Sequence, residues 1–233
     1  PTGDAHRVAV RYFSPDAEVP FCGHATVATA IALAERDGPG ELTFETAAGP
    51  VTIRTQGAEH SLTAAFTSVE PKLREPQAAV AEAVLELIGA TPAQLADGWP
   101  LLEAYAGNWH PIIALADRKQ FDAFTFEPSQ ARDLMDAHGW TGTITVVHPD
   151  LSVGRIHARN IFPVGTITED PATGSAAASL GGYLRATGLV ADDSSVEVLQ
   201  GSHVGHPCRL RVDIPRVGGI VVTGGARRIT PAD

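Results

Sequence analysis

The sequence predicts an α+β protein of two pseudo-symmetric lobes, each a mixed β-sheet curled around one central Ala-rich helix. Three observations carry that reading. Two polar, glycine-containing turns, at residues 20–26 and 168–175, each run straight into a small-residue apolar stretch. Short alternating runs that read as strands flank both stretches. With Gly23 set over Gly174, His24 falls on Ser175, Ala25 on Ala176 and Leu33 on Leu184, a repeat of pattern rather than of letters. A helix so poor in side chain suits a sheet that wraps closely around it.

Taken in order, residues 7–13 alternate as a strand and Ser14-Pro15-Asp16 makes a turn. The first Ala-rich helix follows Cys22-Gly23 and is stopped by Gly38-Pro39-Gly40. Residues 41–46 and 51–55 read as a hairpin around Ala47-Ala48-Gly49-Pro50, and 61–67 as another strand. Pro71 to Pro76 marks a boundary. Residues 77–89 form an amphipathic helix with Ala79, Val80, Ala83, Val84 and Leu87 on one face. Strands are expected near 100–105 and 111–116. A helix over 128–138 is started by Pro128 and ended by Gly139. Strands at 142–148 and 153–162 precede the second turn and helix at 168–188. Further strands lie near 195–200, 207–214 and 218–224. The expected lobes are 1–72 with about 215–233, and 73–214.

The chemistry concentrates in the two turns. The first amides of a helix have no partner within it and lie at its positive end, so they attract anions. Amides near Gly23–His24 and Gly174–Ser175 therefore suit a carboxylate, with Ser175 placed as the N-cap of the second helix and Gly174 free to adopt a conformation other residues avoid. Two such helix starts facing a cleft between the lobes would hold a small acid and stabilise the enolate-like charge formed when a neighbouring proton leaves. The titratable groups at hand are His24, Asp170, Glu169, Glu18 and Cys22. Each has a plainer reading. His24 can cap or support, Asp170 can order the turn before Pro171, Glu18 can end a strand, and Cys22 can be a small buried hydrophobe.

Other constellations are weaker. His203-x-x-His206-x-Cys208 offers metal-like side chains, but only three in one loop and with no partner cluster. Asn108-Trp109-His110 sits between apolar runs, as a cleft-lining loop or an ordinary connection. Ala172-Thr173-Gly174-Ser175-Ala176 does not match the Gly-x-Ser-x-Gly elbow of hydrolases, and no phosphate or dinucleotide fingerprint occurs. No cofactor and no metal are expected. A net charge of −10 without a basic run argues against binding nucleic acid or an anionic membrane, and no apolar run approaches a membrane span. Two cysteines in 233 residues do not make a disulfide scaffold, so the expected setting is the reducing cytoplasm. A hydrophobic share of 44% is enough to build a core in each lobe.

The pair Glu18-Val19-Pro20-Phe21-Cys22-Gly23-His24-Ala25-Thr26 and Glu169-Asp170-Pro171-Ala172-Thr173-Gly174-Ser175-Ala176 resembles the PhzF-like (phenazine biosynthesis) isomerase family. Val10-Arg11-Tyr12-Phe13-Ser14-Pro15 and Gln200-Gly201-Ser202 are similar to it too. The resemblance implies the diaminopimelate epimerase-like fold, a homodimer, and cofactor-free proton transfer within a small carboxylic acid. It places His24, Asp170 and Ser175 around the substrate, and Gly23 and Gly174 in the anion-binding turns. In one respect the sequence departs from the family, whose acid/base glutamate lies well upstream of the Cys-Gly-His turn. The 21 residues ahead of Cys22 hold no counterpart, so that glutamate, with its strand, is expected on a segment ahead of Pro1. Two alternatives remain: a small-acid binding protein without the chemistry, and an amino-acid racemase with two opposed thiols. The second would set Thr173, a poor base, opposite Cys22.

Overall fold

The computed structural model describes residues 6–13, 18–19, 22–47, 49–58, 61–164 and 167–227. The chain divides into two compact units, residues 1–67 with 221–233, and residues 68–220. The first unit begins with β1 (Arg7–Ala9), β2 (Tyr12–Phe13), β3 (Glu18–Val19), α1 (Gly23–Asp37), β4 (Glu41–Thr46), β5 (Gly49–Gln56) and β6 (Thr63–Thr67). The second holds β7 (Lys72–Arg74), α2 (Ala78–Leu87), β8 (Leu102–Tyr105), β9 (Trp109–Ala114), α3 (Arg118–Ala123), α4 (Pro128–His138), β10 (Ile144–Asp150), β11 (Arg155–Val164), β12 (Ile167–Asp170), α5 (Gly174–Thr187), β13 (Ser194–Gln200) and β14 (Cys208–Ile214). The chain then returns to the first unit as β15 (Val221–Gly225).

In the first unit the strands run β1-β4-β5-β6-β15, parallel at β1–β4 and antiparallel elsewhere. Helix α1 packs on β5, β6 and β15 through Val27, Ala30, Ile31 and Ala34. The single strand expected over 7–13 is two. After Val10 N–H bonds to Glu45 O (2.9 Å), the chain leaves β4, and β2 pairs instead with β3 as a separate ribbon. That swing buries Tyr12, whose hydroxyl reaches Thr26 Oγ1 at 2.6 Å and ties the ribbon to the first turn of α1. The turn expected at Ser14-Pro15-Asp16 lies outside the described residues. The turn expected over 47–50 is tighter, because Gly49, at φ 106°, already pairs with Thr46.

In the second unit the order is β14-β13-β11-β10-β9-β8-β7, with parallel pairs at β13–β11 and β10–β9. Helix α5 touches β14 at one end of this sheet and β7, β8 and β9 at the other, so the sheet curls around it. Two glycines allow the approach. A Cβ on Gly181 would lie 2.7 Å from Ile220 Cγ2, and one on Gly182 would lie 2.3 Å from Pro71 Cβ. Helices α2 and α4 pack on each other, α4 lies on β11 and α3 on β10, around a core that includes Val84, Leu85, Ile113, Phe121, Met135 and Ile144.

The expected face of α2 holds at Val80, Val84 and Leu87, but Ala79 is exposed, and Leu85 and Ile88 are buried in its place. Helix α4 starts at Pro128 and ends on left-handed Gly139 (φ 62°), as read from sequence. Unexpected elements are β7, within the supposed boundary, β12, where a turn was expected from 168, and α3, whose start is capped by Asp117 accepting from Gln120 N–H (2.9 Å). No helix among the described residues is long and apolar enough to cross a membrane.

Candidate functional site

The head of α5 is built where β12 meets the helix. Strand alternation sends Glu169 and Asp170 to opposite faces. Glu169 turns inward and is buried against Arg159, which holds both carboxylate oxygens. Arg159 also donates to the carbonyls of Phe121 (3.2 Å) and Phe124 (2.9 Å) and stacks on the Phe124 ring. A carboxylate so occupied is a structural anchor, and the acid/base candidacy of Glu169 is thereby corrected.

Asp170 faces the turn. Its carboxylate accepts the Thr173 hydroxyl at 2.6 Å, and its carbonyl accepts Gln200 Nε2 at 2.6 Å. Gln200 is itself buried, accepting Thr173 N–H (3.2 Å) and donating to Thr173 Oγ1 (3.0 Å). Gly201 makes that fit possible. It sits at φ 83°, and a Cβ there would meet His206 O at 2.2 Å and Pro171 O at 2.7 Å. The neighbouring Cys208 has its thiol pKa raised by burial, with the Asp170 charge adding to the effect.

Two details of the expected cap are corrected. The N-cap of α5 is Thr173, and Ser175 is the second helical residue. Gly174 is the first, with no left-handed conformation. Thr173 supplies no capping hydrogen bond; its hydroxyl donates to Asp170 and its oxygen accepts Gln200 Nε2 (3.0 Å) instead. The first backbone bond of α5 runs from Ala177 N–H to Thr173 O (3.0 Å), so the amides of Gly174, Ser175 and Ala176 have no carbonyl partner in the helix.

Half-buried Ser175 instead reaches a residue the sequence left open. His110 lies on β9, fully buried, with Nε2 3.1 Å from Ser175 Oγ. Its other nitrogen receives Thr143 N–H at 2.9 Å. Burial pushes its pKa down to about 4. Thr143 and Thr145 both donate to Asn160 Oδ1, at 2.6 and 2.8 Å, and Asn160 stands opposite Asp170 across β11–β12. Trp109 and His110 thus open a strand and do not form a loop. A lone histidine between apolar runs carries no signal of what it touches 65 residues away.

The head of α1 is simpler. Cys22 is its N-cap and Gly23 its first residue. Thr26 N–H and Thr26 Oγ1 both donate to Cys22 O (2.9 and 2.8 Å). His24 is exposed, with Nε2 3.4 Å and Nδ1 3.7 Å from the half-buried Cys22 thiol. Glu18 opens β3, where its plainer reading had it end a strand, and pairs with Arg11 (2.7 Å) at the surface. Cys22 and Thr173 do hold equivalent cap positions, but Thr173 gives its proton to Asp170 and is no base. His203 of the metal-like trio lies 3.1 Å from Asp122, and among the described residues no group of three or more His, Cys, Asp or Glu is poised around a common point.

Comparison with known proteins places this arrangement. A family model described as phenazine biosynthesis-like protein matches residues 1–228. A protein of Deinococcus radiodurans, named only as an uncharacterised isomerase, is 32% identical over 234 residues, 93% of this chain and 73% of that one. The trans-2,3-dihydro-3-hydroxyanthranilate isomerase of Pseudomonas aeruginosa is 30% identical over 217 residues, 89% of this chain and 69% of that one. In three dimensions the chain resembles a PhzF-family protein of Bacillus anthracis with TM-score 0.79 at 23% identity, covering 95% of this chain and 78% of that one. The fold is α+β of the diaminopimelate epimerase-like kind. The chain belongs to the phenazine biosynthesis-like family and is an isomerase.

Proposed function

We propose that the protein moves a proton within a small carboxylate-bearing substrate, without a cofactor, and that the turn heading α5 holds that substrate. The observation that carries this is the head of α5, where Asp170 is held by the Thr173 hydroxyl (2.6 Å) beside three amides that lack helical partners. Donors fixed before the substrate arrives can stabilise a carboxylate and the enolate-like charge next to it without reorganising. In this reading Gly174 and Ser175 bind the carboxylate, Asp170 orients the substrate or relays protons, and Gly23 and His24 of the turn heading α1 are further candidates for binding and proton relay. The family's named isomerases make a dihydro-aromatic or amino acid the substrate class to try first. Two free thiols fit work in a reducing cytoplasm, and the family resemblance favours a homodimer.

The test is solvent deuterium exchange into candidate dihydro-aromatic and amino acids, followed by mass spectrometry. Exchange that Asp170→Asn abolishes, with the fold intact by circular dichroism, supports the enzyme. Binding of the same acids without exchange would leave a binding protein and sink the isomerase mechanism.

A further inference from the structure

We propose that His110 is a positioning residue that aims the Ser175 hydroxyl proton away from the protein, toward the bound carboxylate. This rests on the reading that Ser175 touches the substrate. The warrant is the direction of the hydrogen bonds. A backbone N–H can only donate, and that of Thr143 points at His110 Nδ1 from 2.9 Å. Nδ1 is therefore an acceptor and carries no proton. The Thr143 carbonyl, which would favour a proton there, is farther, at 3.1 Å. The Thr143 hydroxyl, 3.0 Å from Nδ1, spends its own proton on Asn160 Oδ1 at 2.6 Å.

A neutral imidazole without a proton on Nδ1 has one on Nε2. Burial keeps the ring neutral, its pKa pushed down to about 4. Nε2–H then donates to Ser175 Oγ at 3.1 Å. The Ser175 proton cannot point back at a nitrogen that already bears one, and His110 is its sole hydrogen-bond partner among the described residues. It is left for an acceptor outside, on the same turn as the amides of residues 174–176. Gly142 packs flat on the ring, where a Cβ would lie 2.4 Å from His110 Cε1. A histidine whose neutral form is locked by a backbone amide thus turns a serine from a donor-or-acceptor into a donor, which favours an anion over a neutral ligand.

Long-range 1H–15N spectra of the whole protein at pH 7 read the tautomer without any mutation. A proton on Nε2 is expected; a proton on Nδ1, or an imidazolium, overturns the proposal. Binding of 3-hydroxyanthranilate, measured calorimetrically, reads the consequence. Ser175→Ala and His110→Leu should each weaken it by about 10-fold, a hydrogen bond to a charged group, and the double variant no further. His110→Gln should stay within about 3-fold of the parent, since a glutamine can accept from Thr143 and donate to Ser175. If Ser175→Ala weakens binding while His110→Leu does not, the positioning role fails and the Ser175 site stands. If Ser175→Ala changes nothing, or the parent protein does not bind the probe, the Ser175 reading fails and takes this proposal with it.

Discussion

Helices α1 and α5 both begin on a glycine, at Gly23 and Gly174, and both draw on alanine and other small residues, yet they end in different surroundings. Ten of the 14 residues of α5 are buried, against five of 15 in α1. Where α5 has Gly181-Gly182, the aligned α1 has Ala30-Ile31. The glycines admit Ile220, Val212 and Pro71 almost to the backbone, so the sheet meets α5 from both of its ends. The outer face of α1, with Ala28, Ala32, Glu35 and Arg36, instead lines a depression of ≈ 430 Å³ together with Ala226 and Arg227. The two heads differ in the same sense. Behind α5 lie two polar clusters, Asp170 with Thr173 and Gln200, and His110 with Thr143 and Asn160, set side by side where Asn160 faces Asp170 across β11–β12, while behind α1 there is Tyr12 on Thr26. Similar local sequence thus yields one helix held as a core element with a preset head, and one held on a single face.

That contrast can be broken, most sharply by activity. Asp170→Asn should cut turnover or deuterium exchange by about 10²- to 10⁴-fold, the usual range for a lost acid/base group. His24→Ala, at the open head, should cost less; an equal or larger loss in the same exchange assay would reverse the ranking.

Acid stability comes next. His110 has its folded pKa lowered from 6.5 to about 4. The unfolded chain therefore binds the proton first. The contribution is complete above about pH 6.5 and is lost as pH falls toward 4, amounting to about 3 kcal/mol. Urea melts at pH 7 and pH 4.5 should show the parent losing more stability over this interval than His110→Gln does. Equal losses would mean that the His110 cluster behind α5 is not what acid attacks.

Packing gives a smaller effect. Gly182→Ala drives a methyl into Pro71 and should destabilise by about 1–3 kcal/mol, whereas Ala32→Leu on the outer face of α1 should stay within about 0.5 kcal/mol. Comparable shifts in the denaturation midpoint would erase the distinction between the helices. The smallest effect expected is for Thr26→Val, about 1 kcal/mol, from the lost bonds to Tyr12 and Cys22. A value near that of Gly182→Ala would show that the head of α1 is as tightly built as that of α5.

Much of this molecule is legible along the chain because it is local. Glycine stops at Gly38, Gly139 and Gly188, Pro128 at a helix start, and the repeat of a glycine turn and small-residue helix all act within a few residues. They suffice for the fold class and for naming Gly23, His24, Asp170, Gly174 and Ser175. The resemblance to a family then attached roles to those positions. What the sequence could not say is which partner each side chain finds. Glu169 and Asp170 are adjacent carboxylates with the same apparent chemistry. Pairing of β12 with β11 turns Glu169 into the interior against Arg159 and Asp170 toward Thr173. Ser175 read as a cap because its spacing fits one, but β9 brings His110 beneath it from 65 residues away and the cap falls to Thr173. Periodicity and turn chemistry are properties of neighbours in sequence. Hydrogen-bond direction, burial and the tautomer of His110 are set by strands that become neighbours only when the sheet closes on α5, and those the tertiary structure alone decided.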